Sequence, residues 1–164
     1  MNLTRKDIED LKEEIEFRKN ERPKILEELK EARAQGDLSE NFEYHCAKRK
    51  NNQNNSRIRY LERVLKTAEI ISDESKEDEV GMNNTVVIYD MDMQQEETLR
   101  IVTSMRGDML NGLISIESPI GKALMGKKVG DVVTVNVDTG YSYQVEIRKI
   151  IKENDESGDR IRSF

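Results

Sequence analysis

The sequence predicts an α+β protein, in which an N-terminal antiparallel helical coiled-coil hairpin precedes a C-terminal antiparallel β-sheet domain with one short helix. Residues 1–72 repeat apolar side chains at three-four spacing, the period of a coiled-coil seam. Residues 84–152 instead hold short runs rich in β-branched and aromatic residues, separated by turn residues. The 164-residue chain is also 37% charged, which fits an elongated helical piece beside a small core.

The hairpin prediction depends on a symmetry in the apolar pattern. In the first arm the seam positions are Ile8, Leu11, Ile15, Ile25, Leu29 and Ala32. In the second arm they are Ala47, Ile58, Leu61, Leu65 and Ala68. Folding the chain back at Leu38 pairs them across two arms, for example Leu11 with Leu65. The arms run from 5 to about 35 and from 36 to about 70, so that each is roughly 45 Å long.

The first arm begins with a capping signal and contains one irregularity. Thr4 followed by Asp7 resembles a capping box. Pro23 removes a backbone hydrogen bond, so we expect a kink near Arg22. The seam is polar at this level, where the fold point places Arg22 opposite Asn54. This level is either a polar layer that fixes the register or a hinge in the arm.

The tip of the hairpin, residues 36–44, contains the signals that end one helix and begin the next. Gly36 suits the end of the first arm because glycine readily adopts the left-handed conformation. Ser39 and Asn41 are alternative N-caps for the returning helix.

Two carboxylates, Asp37 and Glu40, fall within this tip. Carboxylate oxygens suit Mg²⁺, which often takes one or two of them and keeps several waters. Spacing alone is a weak signal, since such pairs are usually solvated surface or helix caps. His45 and Cys46 follow, but the sequence has no other His or Cys to complete a zinc site.

Charge is distributed unevenly along the chain, whose net charge is −6. Residues 1–72 have a net charge of +1, and residues 73–164 have a net charge of −7. Within the second arm, residues 48–66 contain seven Lys/Arg and a single acid, Glu62. The acidic tip therefore lies beyond a basic flank, which is either a binding surface or an ordinary solvated helix face.

The composition also favours certain compartments. A single Cys allows no internal disulfide and favours a reducing environment. The first residues lack the apolar run of a signal peptide, and no stretch approaches the ~20 apolar residues that span a membrane. We therefore expect a cytoplasmic protein without membrane contact.

The second half of the sequence is predicted to contain an acidic linker, a sheet domain and a tail. The linker is 73–83, the domain is 84–152, and 153–164 is expected to be a disordered tail. Predicted strands cover 85–89, 99–103, 113–116, 132–137 and 143–151. The short helix is predicted from Ser118 as its cap, Pro119 at its first position and Gly126 as its stop.

Two stretches resemble one known family. Residues 31–45, EARAQGDLSENFEYH, resemble the signature of the bacterial GreA/GreB transcript-cleavage factors. Residues 113–127, LISIESPIGKALMGK, resemble the C-terminal domain of the same family, which is similar to the FKBP fold. The order and spacing of these stretches extend the resemblance over roughly residues 3–152.

The resemblance implies a mechanism in which the protein is not itself an enzyme. The hairpin would enter the secondary channel of RNA polymerase, where Asp37 and Glu40 help to hold a second Mg²⁺ at the polymerase active site. The polymerase would then hydrolyse backtracked RNA and so rescue arrested complexes. The free protein is not expected to bind Mg²⁺ tightly.

The resemblance also implies contact residues on a monomeric protein. Lys48 matches the family's basic patch near the nascent RNA 3′ end. Its neighbours in that patch are Arg49, Lys50 and Arg57. The turn formed by Glu117, Ser118 and Pro119 would dock on a coiled coil of the polymerase beside the channel.

Two departures and two alternatives accompany this interpretation. The Asn-rich run 51–55 stands where the family has more charged and apolar residues, and Phe42 takes the place of a small residue. A Gre-like competitor would enter the channel without supporting cleavage, but retention of Asp37 and Glu40 favours cleavage. A hairpin adaptor or chaperone without a metal role would need neither the charge-segregated tip nor the C-terminal motif.

Overall fold

The computed structural model describes residues 1–36, 41–152 and 158–162 and divides into two units. One unit is a helical hairpin over Ile8–Ala68 with Met1, and the other combines Asn2–Asp7 with the chain from Glu69 onward. Within the described ranges, no helix is long and apolar enough to cross a membrane.

The hairpin consists of α1 (Arg5–Arg33) and α2 (Phe42–Thr67), which confirms both predicted arms. The capping box at the start of α1 forms as predicted: the Thr4 amide donates to Asp7 Oδ2 at 2.9 Å, and the Asp7 amide donates to Thr4 Oγ1 at 3.2 Å. Most of the predicted seam is buried, namely Leu11, Ile15, Ile25, Leu29, Ala32, Ala47, Ile58 and Leu61. The seam supplies the apolar burial that holds two such polar helices together.

In the polar layer of the hairpin, the residues that pair across the two helices differ from the predicted pairs. Asn54 bonds to Arg18 and not to Arg22. Its side-chain Nδ2 donates to the Arg18 carbonyl at 3.0 Å, and its Oδ1 accepts from Arg18 Nη1 at 3.3 Å. Arg22 instead donates to Asn55 Oδ1 at 3.1 Å. The short Asn54 side chain bonds to the α1 backbone beside it, whereas the long arginines reach along the helix. The buried, paired Asn54 supports the register-fixing interpretation.

The second unit is built on a five-stranded sheet in the order β5-β4-β3-β7-β6. A separate two-stranded pair precedes it in the chain, made of β1 (Asn2–Leu3) and β2 (Glu69–Ile70). The strands of the main sheet are β3 (Thr85–Asp90), β4 (Gln95–Val102), β5 (Leu113–Ser115), β6 (Val132–Asn136) and β7 (Ser142–Ile151). A single short helix, α3 (Pro119–Leu124), follows β5, as the sequence predicts.

The core of this unit follows the two-residue period of its strands. Every second residue of the central strands is buried. Examples are Val86 and Ile88 of β3 and Val145 and Ile147 of β7. Leu124 of α3 is fully buried in the same cluster. The apolar face of the sheet therefore packs against the short helix.

The sheet is antiparallel, as predicted, except at one edge, where β5 pairs with β4 in parallel. The chain between them makes two 3₁₀ turns, at Ser104–Arg106 and Met109–Asn111. Gly112, directly before β5, has φ 72°, a left-handed conformation that glycine adopts readily.

Residues 73–83, which were expected to form a linker, belong to the sheet unit. Val80 is fully buried, and its amide donates to the Lys127 carbonyl at 2.8 Å. Lys152 Nζ donates to the Glu79 carbonyl at 2.7 Å and to Ser75 Oγ at 2.6 Å. At the other end of the chain, β1 pairs with β2, and residues Asn2–Asp7 belong to the sheet unit and not to the hairpin.

The expected disordered tail is corrected over residues 158–162, which lie against the sheet unit. Asp159 Oδ1 pairs with Arg100 Nη1 at 2.8 Å, and its carbonyl accepts from Arg106 Nη1 at 3.0 Å. The Arg162 amide donates to the Met105 carbonyl at 2.7 Å. Arg106 is itself buried and paired with the buried carboxylate of Asp7. The remaining tail positions, 153–157 and 163–164, lie outside the described residues.

Candidate functional site

The carboxylates proposed for the tip, Asp37 and Glu40, lie outside the described residues, as do Leu38 and Ser39. The structure describes the residues on both sides of them. Gly36 ends the first arm with φ 115°, the left-handed region predicted for a helix stop. Asn41, one of the two predicted caps, caps α2: its Oδ1 accepts from the Tyr44 amide at 3.0 Å.

Asn41 also contacts the opposite arm. Its side-chain amide nitrogen donates to the carbonyl of Ala32 in α1 at 2.6 Å. One side chain therefore joins the last turn of α1 to the first turn of α2, and in the sequence it directly follows Glu40.

A small apolar cluster supports this connection. Tyr44 is buried against residues of both helices, together with Leu29, Ala32 and Ala47. Arg33 and Lys48 lie near the face of the Tyr44 ring, at 5.7 Å and 6.0 Å from its centroid. Both distances allow a cation–π attraction.

Arg33 is a basic residue that the sequence argument did not include. It lies on α1, whereas every predicted RNA contact lies on α2. The signal was available, because folding the chain at Leu38 places Arg33 opposite Glu43, next to Tyr44. The described end of the hairpin thus carries exposed cations on both helices.

The predicted basic patch divides into exposed and paired residues. Lys48 and Arg49 are exposed. Lys50 is exposed but forms an ion pair with Glu28 of α1 at 3.0 Å. The first two therefore fit a surface that binds phosphates, and Lys50 would have to leave Glu28 to contribute.

Arg57, which the resemblance implies as an RNA contact, is buried and paired in this structure. Its side chain is 4% exposed, and its Nε donates to Glu14 Oε1 at 3.0 Å. Arg18 binds the same carboxylate at 2.8 Å. Partial burial alone would raise the pKa of Glu14, but the hydrogen bonds from Arg57 and Arg18 outweigh it and lower that pKa below its ordinary value.

The predicted docking turn forms a compact hydrogen-bonded corner on the sheet unit. Ser118 Oγ caps α3 by accepting from the Gly121 amide at 3.1 Å, and it donates to the Ser115 carbonyl at 2.6 Å. Pro119 opens the helix, and the exposed Glu117 accepts from Ser104 Oγ at 2.7 Å. A Cβ at Gly121 would stand 2.1 Å from the Ser115 carbonyl oxygen, so this corner admits no larger residue.

Metal ligation within the described part of the chain is limited. No group of three or more His, Cys, Asp or Glu side chains there could hold a metal ion. His45 stacks edge-on with Tyr44 at a centroid distance of 5.4 Å, and Cys46 is exposed. His45 is thus an exposed residue whose ring contacts the edge of the Tyr44 ring.

Comparison with known proteins matches both halves of the chain to one family. The N-terminal model, "Transcription elongation factor, N-terminal", matches residues 1–70. The C-terminal model, "Transcription elongation factor, GreA/GreB, C-term", matches residues 74–152. Together they cover the hairpin and the sheet domain.

Individual relatives agree with this result. Transcription elongation factor GreA of Thermotoga petrophila is 45% identical over 147 residues, which are 88% of this chain and 94% of that protein. GreA of Thermoanaerobacter pseudethanolicus is 47% identical over 140 residues, which are 84% of this chain and 89% of that protein. The solved structure of the GreA factor homolog 1 (Gfh1) protein of Thermus thermophilus is 26% identical and covers 92% of this chain and 97% of its own, with a TM-score of 0.42. On the two family models and the identities to the two GreA proteins, this chain belongs to the GreA/GreB family of transcription elongation factors.

Proposed function

We propose that this protein stimulates the RNA-cleaving activity of RNA polymerase in backtracked complexes and so rescues arrested transcription. The observation that carries the proposal is the match of both domains to a family of transcription elongation factors, with Asp37 and Glu40 present in the family's tip motif. The protein acts as an accessory factor, and the polymerase supplies the active site.

The hairpin suits delivery of the tip to a recessed site. α1 has 29 residues, so it extends about 43 Å at about 1.5 Å per residue. The buried seam and the polar layer hold the two helices in one register. A rigid arm of this length reaches the polymerase active site through its secondary channel.

The tip acids provide ligands of the right chemistry for Mg²⁺. Two carboxylates, with water, match the ligand preference of that ion, which often takes few protein ligands. We infer that the polymerase supplies the other ligands. A second cation there would activate a water and stabilise the leaving oxygen of an in-line hydrolysis.

Exposed cations near the tip support contact with RNA. Arg33, Lys48 and Arg49 surround the described end of the hairpin and would attract the phosphates of the displaced RNA 3′ segment. Arg57 is buried against Glu14, so it would have to leave that carboxylate to take part in this contact.

The sheet unit would dock outside the channel through the turn at Glu117, Ser118 and Pro119. That turn is fixed by its own hydrogen bonds, so it presents Glu117 on a rigid corner. A polymerase coiled coil with a complementary basic residue fits this exposed carboxylate. We propose that the factor works as a monomer in the cytoplasm, where transcription occurs.

The experiment that tests the function measures RNA cleavage in stalled elongation complexes of the cognate polymerase, with Mg²⁺. Wild-type protein should accelerate cleavage, and Asp37→Asn or Glu40→Gln should abolish the acceleration while retaining polymerase binding. Glu27→Gln, which neutralises an exposed acid on α1, is the matched control and should behave as wild type. Binding without acceleration by the wild type would favour a competitor of the channel, and full acceleration by Asp37→Asn would exclude the metal role.

A further inference from the structure

The C-terminal segment 158–162 packs on the sheet unit although it lies beyond the part of the chain that matches the family. The C-terminal family model ends at residue 152. The Asp159 carboxylate pairs with Arg100 Nη1 at 2.8 Å, and the Asp159 carbonyl accepts from Arg106 Nη1 at 3.0 Å. The match to the family therefore gives no reason for these contacts.

The two arginines are arranged to bind a carboxylate within a peptide. The Arg106 side chain is fully buried, and those of Arg100 and Asp159 are 18% and 9% exposed. An ion pair that is this far removed from water is stronger than one on an open surface. A further contact joins main-chain groups, because the Arg162 amide donates to the Met105 carbonyl at 2.7 Å. The surface formed by Arg100, Met105 and Arg106, here termed the tail site, thus binds one carboxylate and two backbone groups of the segment.

Arg106 also joins the tail site to the capping box of Thr4 and Asp7, which belongs to the same unit. Its Nε donates to Asp7 Oδ1, and both side chains are fully buried. Asp7 Oδ2 accepts from the Thr4 amide at 2.9 Å and from Thr103 Oγ1 at 2.6 Å. One guanidinium therefore bonds both the docked segment and the carboxylate of the capping box.

We infer that the tail site is a binding site for an aspartate-containing peptide, that segment 158–162 is its resident ligand, and that docking of this segment stabilises the capping box through Arg106. Without the segment, the two arginines of the site would face the single carboxylate of Asp7, which leaves an excess of positive charge in a buried place. Because the segment belongs to the same chain, its binding is intramolecular, so a few contacts suffice to hold it.

The first test is Asp159→Ala in the full chain, which removes the carboxylate and keeps the backbone groups. Asp138→Ala removes an exposed carboxylate from a turn of the same unit and is the matched control. In the free protein, amide hydrogen exchange of Asp159→Ala should accelerate about tenfold at Arg162, because a hydrogen bond between charged groups is lost. It should accelerate about threefold at Thr4 and Asp7, which are linked through Arg106. Asp138→Ala should match wild type at all three amides.

A second measurement distinguishes a peptide site from a general loss of stability. A synthetic peptide with the sequence of residues 158–164, added to Asp159→Ala at millimolar concentration, should restore slow exchange at Thr4 and Asp7. The same peptide with alanine in place of its aspartate should not.

Three results would overturn the inference. Unchanged exchange at Arg162 in Asp159→Ala would contradict docking through the carboxylate. Unchanged exchange at Thr4 and Asp7 would contradict the link to the capping box. Equal effects of the two peptides, or no effect of either, would contradict a site that binds an aspartate-containing peptide.

Discussion

Replacement of Arg57 by Ala tests whether that residue belongs to the hairpin's interior or to its RNA-binding surface. The guanidinium donates to Glu14 at 3.0 Å and 3.3 Å and lies 5.6 Å from the centre of the Tyr60 ring. We expect Arg57→Ala to destabilise the hairpin, because it removes a bidentate pair from the helix interface.

The magnitude follows from the environment of Glu14. A hydrogen bond to a charged group contributes about 1.5–3 kcal/mol, and loss of a partner from a fully buried pair costs about 3–5 kcal/mol. Glu14 keeps Arg18 at 2.8 Å, and its side chain is 22% exposed, so water and Arg18 replace part of the loss. The free energy of unfolding should therefore fall by about 2–3 kcal/mol.

The assay is urea unfolding followed by far-ultraviolet circular dichroism, which reports mainly on the two long helices. Arg59→Ala is the matched control: it removes an exposed arginine from the same helix and should change stability by less than about 0.5 kcal/mol. Equal unfolding midpoints for Arg57→Ala and Arg59→Ala would refute the claim that Arg57 stabilises the helix interface. They would indicate instead that Arg57 belongs to the basic surface of α2.

Three further predictions concern charge, pH and the sheet unit. Lys48→Glu should leave the unfolding midpoint unchanged but slow stimulated cleavage, with the defect shrinking as salt is raised; a defect independent of salt would argue against a phosphate contact. Because the folded-state pKa of Glu14 is lowered, its stabilisation should be complete above its unfolded pKa of about 4.3 and decline as pH falls through the lower folded value. The stability difference between wild type and Glu14→Gln, measured in urea across this range, should shrink correspondingly, and a constant difference would contradict the linkage. Val80→Ala should cost about 2 kcal/mol of stability, since it empties a fully buried site; a cost near zero would mean that 73–83 is the linker first predicted.

The hairpin was predictable because its determinants are local and periodic. The three-four spacing gave both arms and most of the buried seam, and Thr4 with Asp7 gave the start of α1. The burial of Arg57 was not foreseen, because the second arm is dense in basic residues. Its position was nevertheless informative: with Leu61 and Val64 it continues the inward-facing stripe of α2.

The sheet unit was predicted in its strands but not in all of its pairings. Alternation of β-branched residues identified the strands, since burial of one face requires it. The parallel pairing of β5 with β4 depends on two 3₁₀ turns in a short connection, which carry no periodic signal. The burial of Val80 was not predicted, because 73–83 is acidic in composition. Its burial depends on contacts with residues far along the chain.

The pairing of β1 with β2 has a consequence for how the chain can be engineered. Asn2 lies beside Glu69 in the strand register, and the Ile71 amide donates to the Leu3 carbonyl at 2.9 Å. The hairpin is therefore an insertion whose entry and exit points are neighbours, so residues 8–68 form a natural cassette. Exchange of this cassette between family members, with joints at 7/8 and 68/69, should preserve the sheet unit and transplant the tip as one piece. The folded hairpin would also hold β1 near β2 without the entropy cost of closing a long flexible loop.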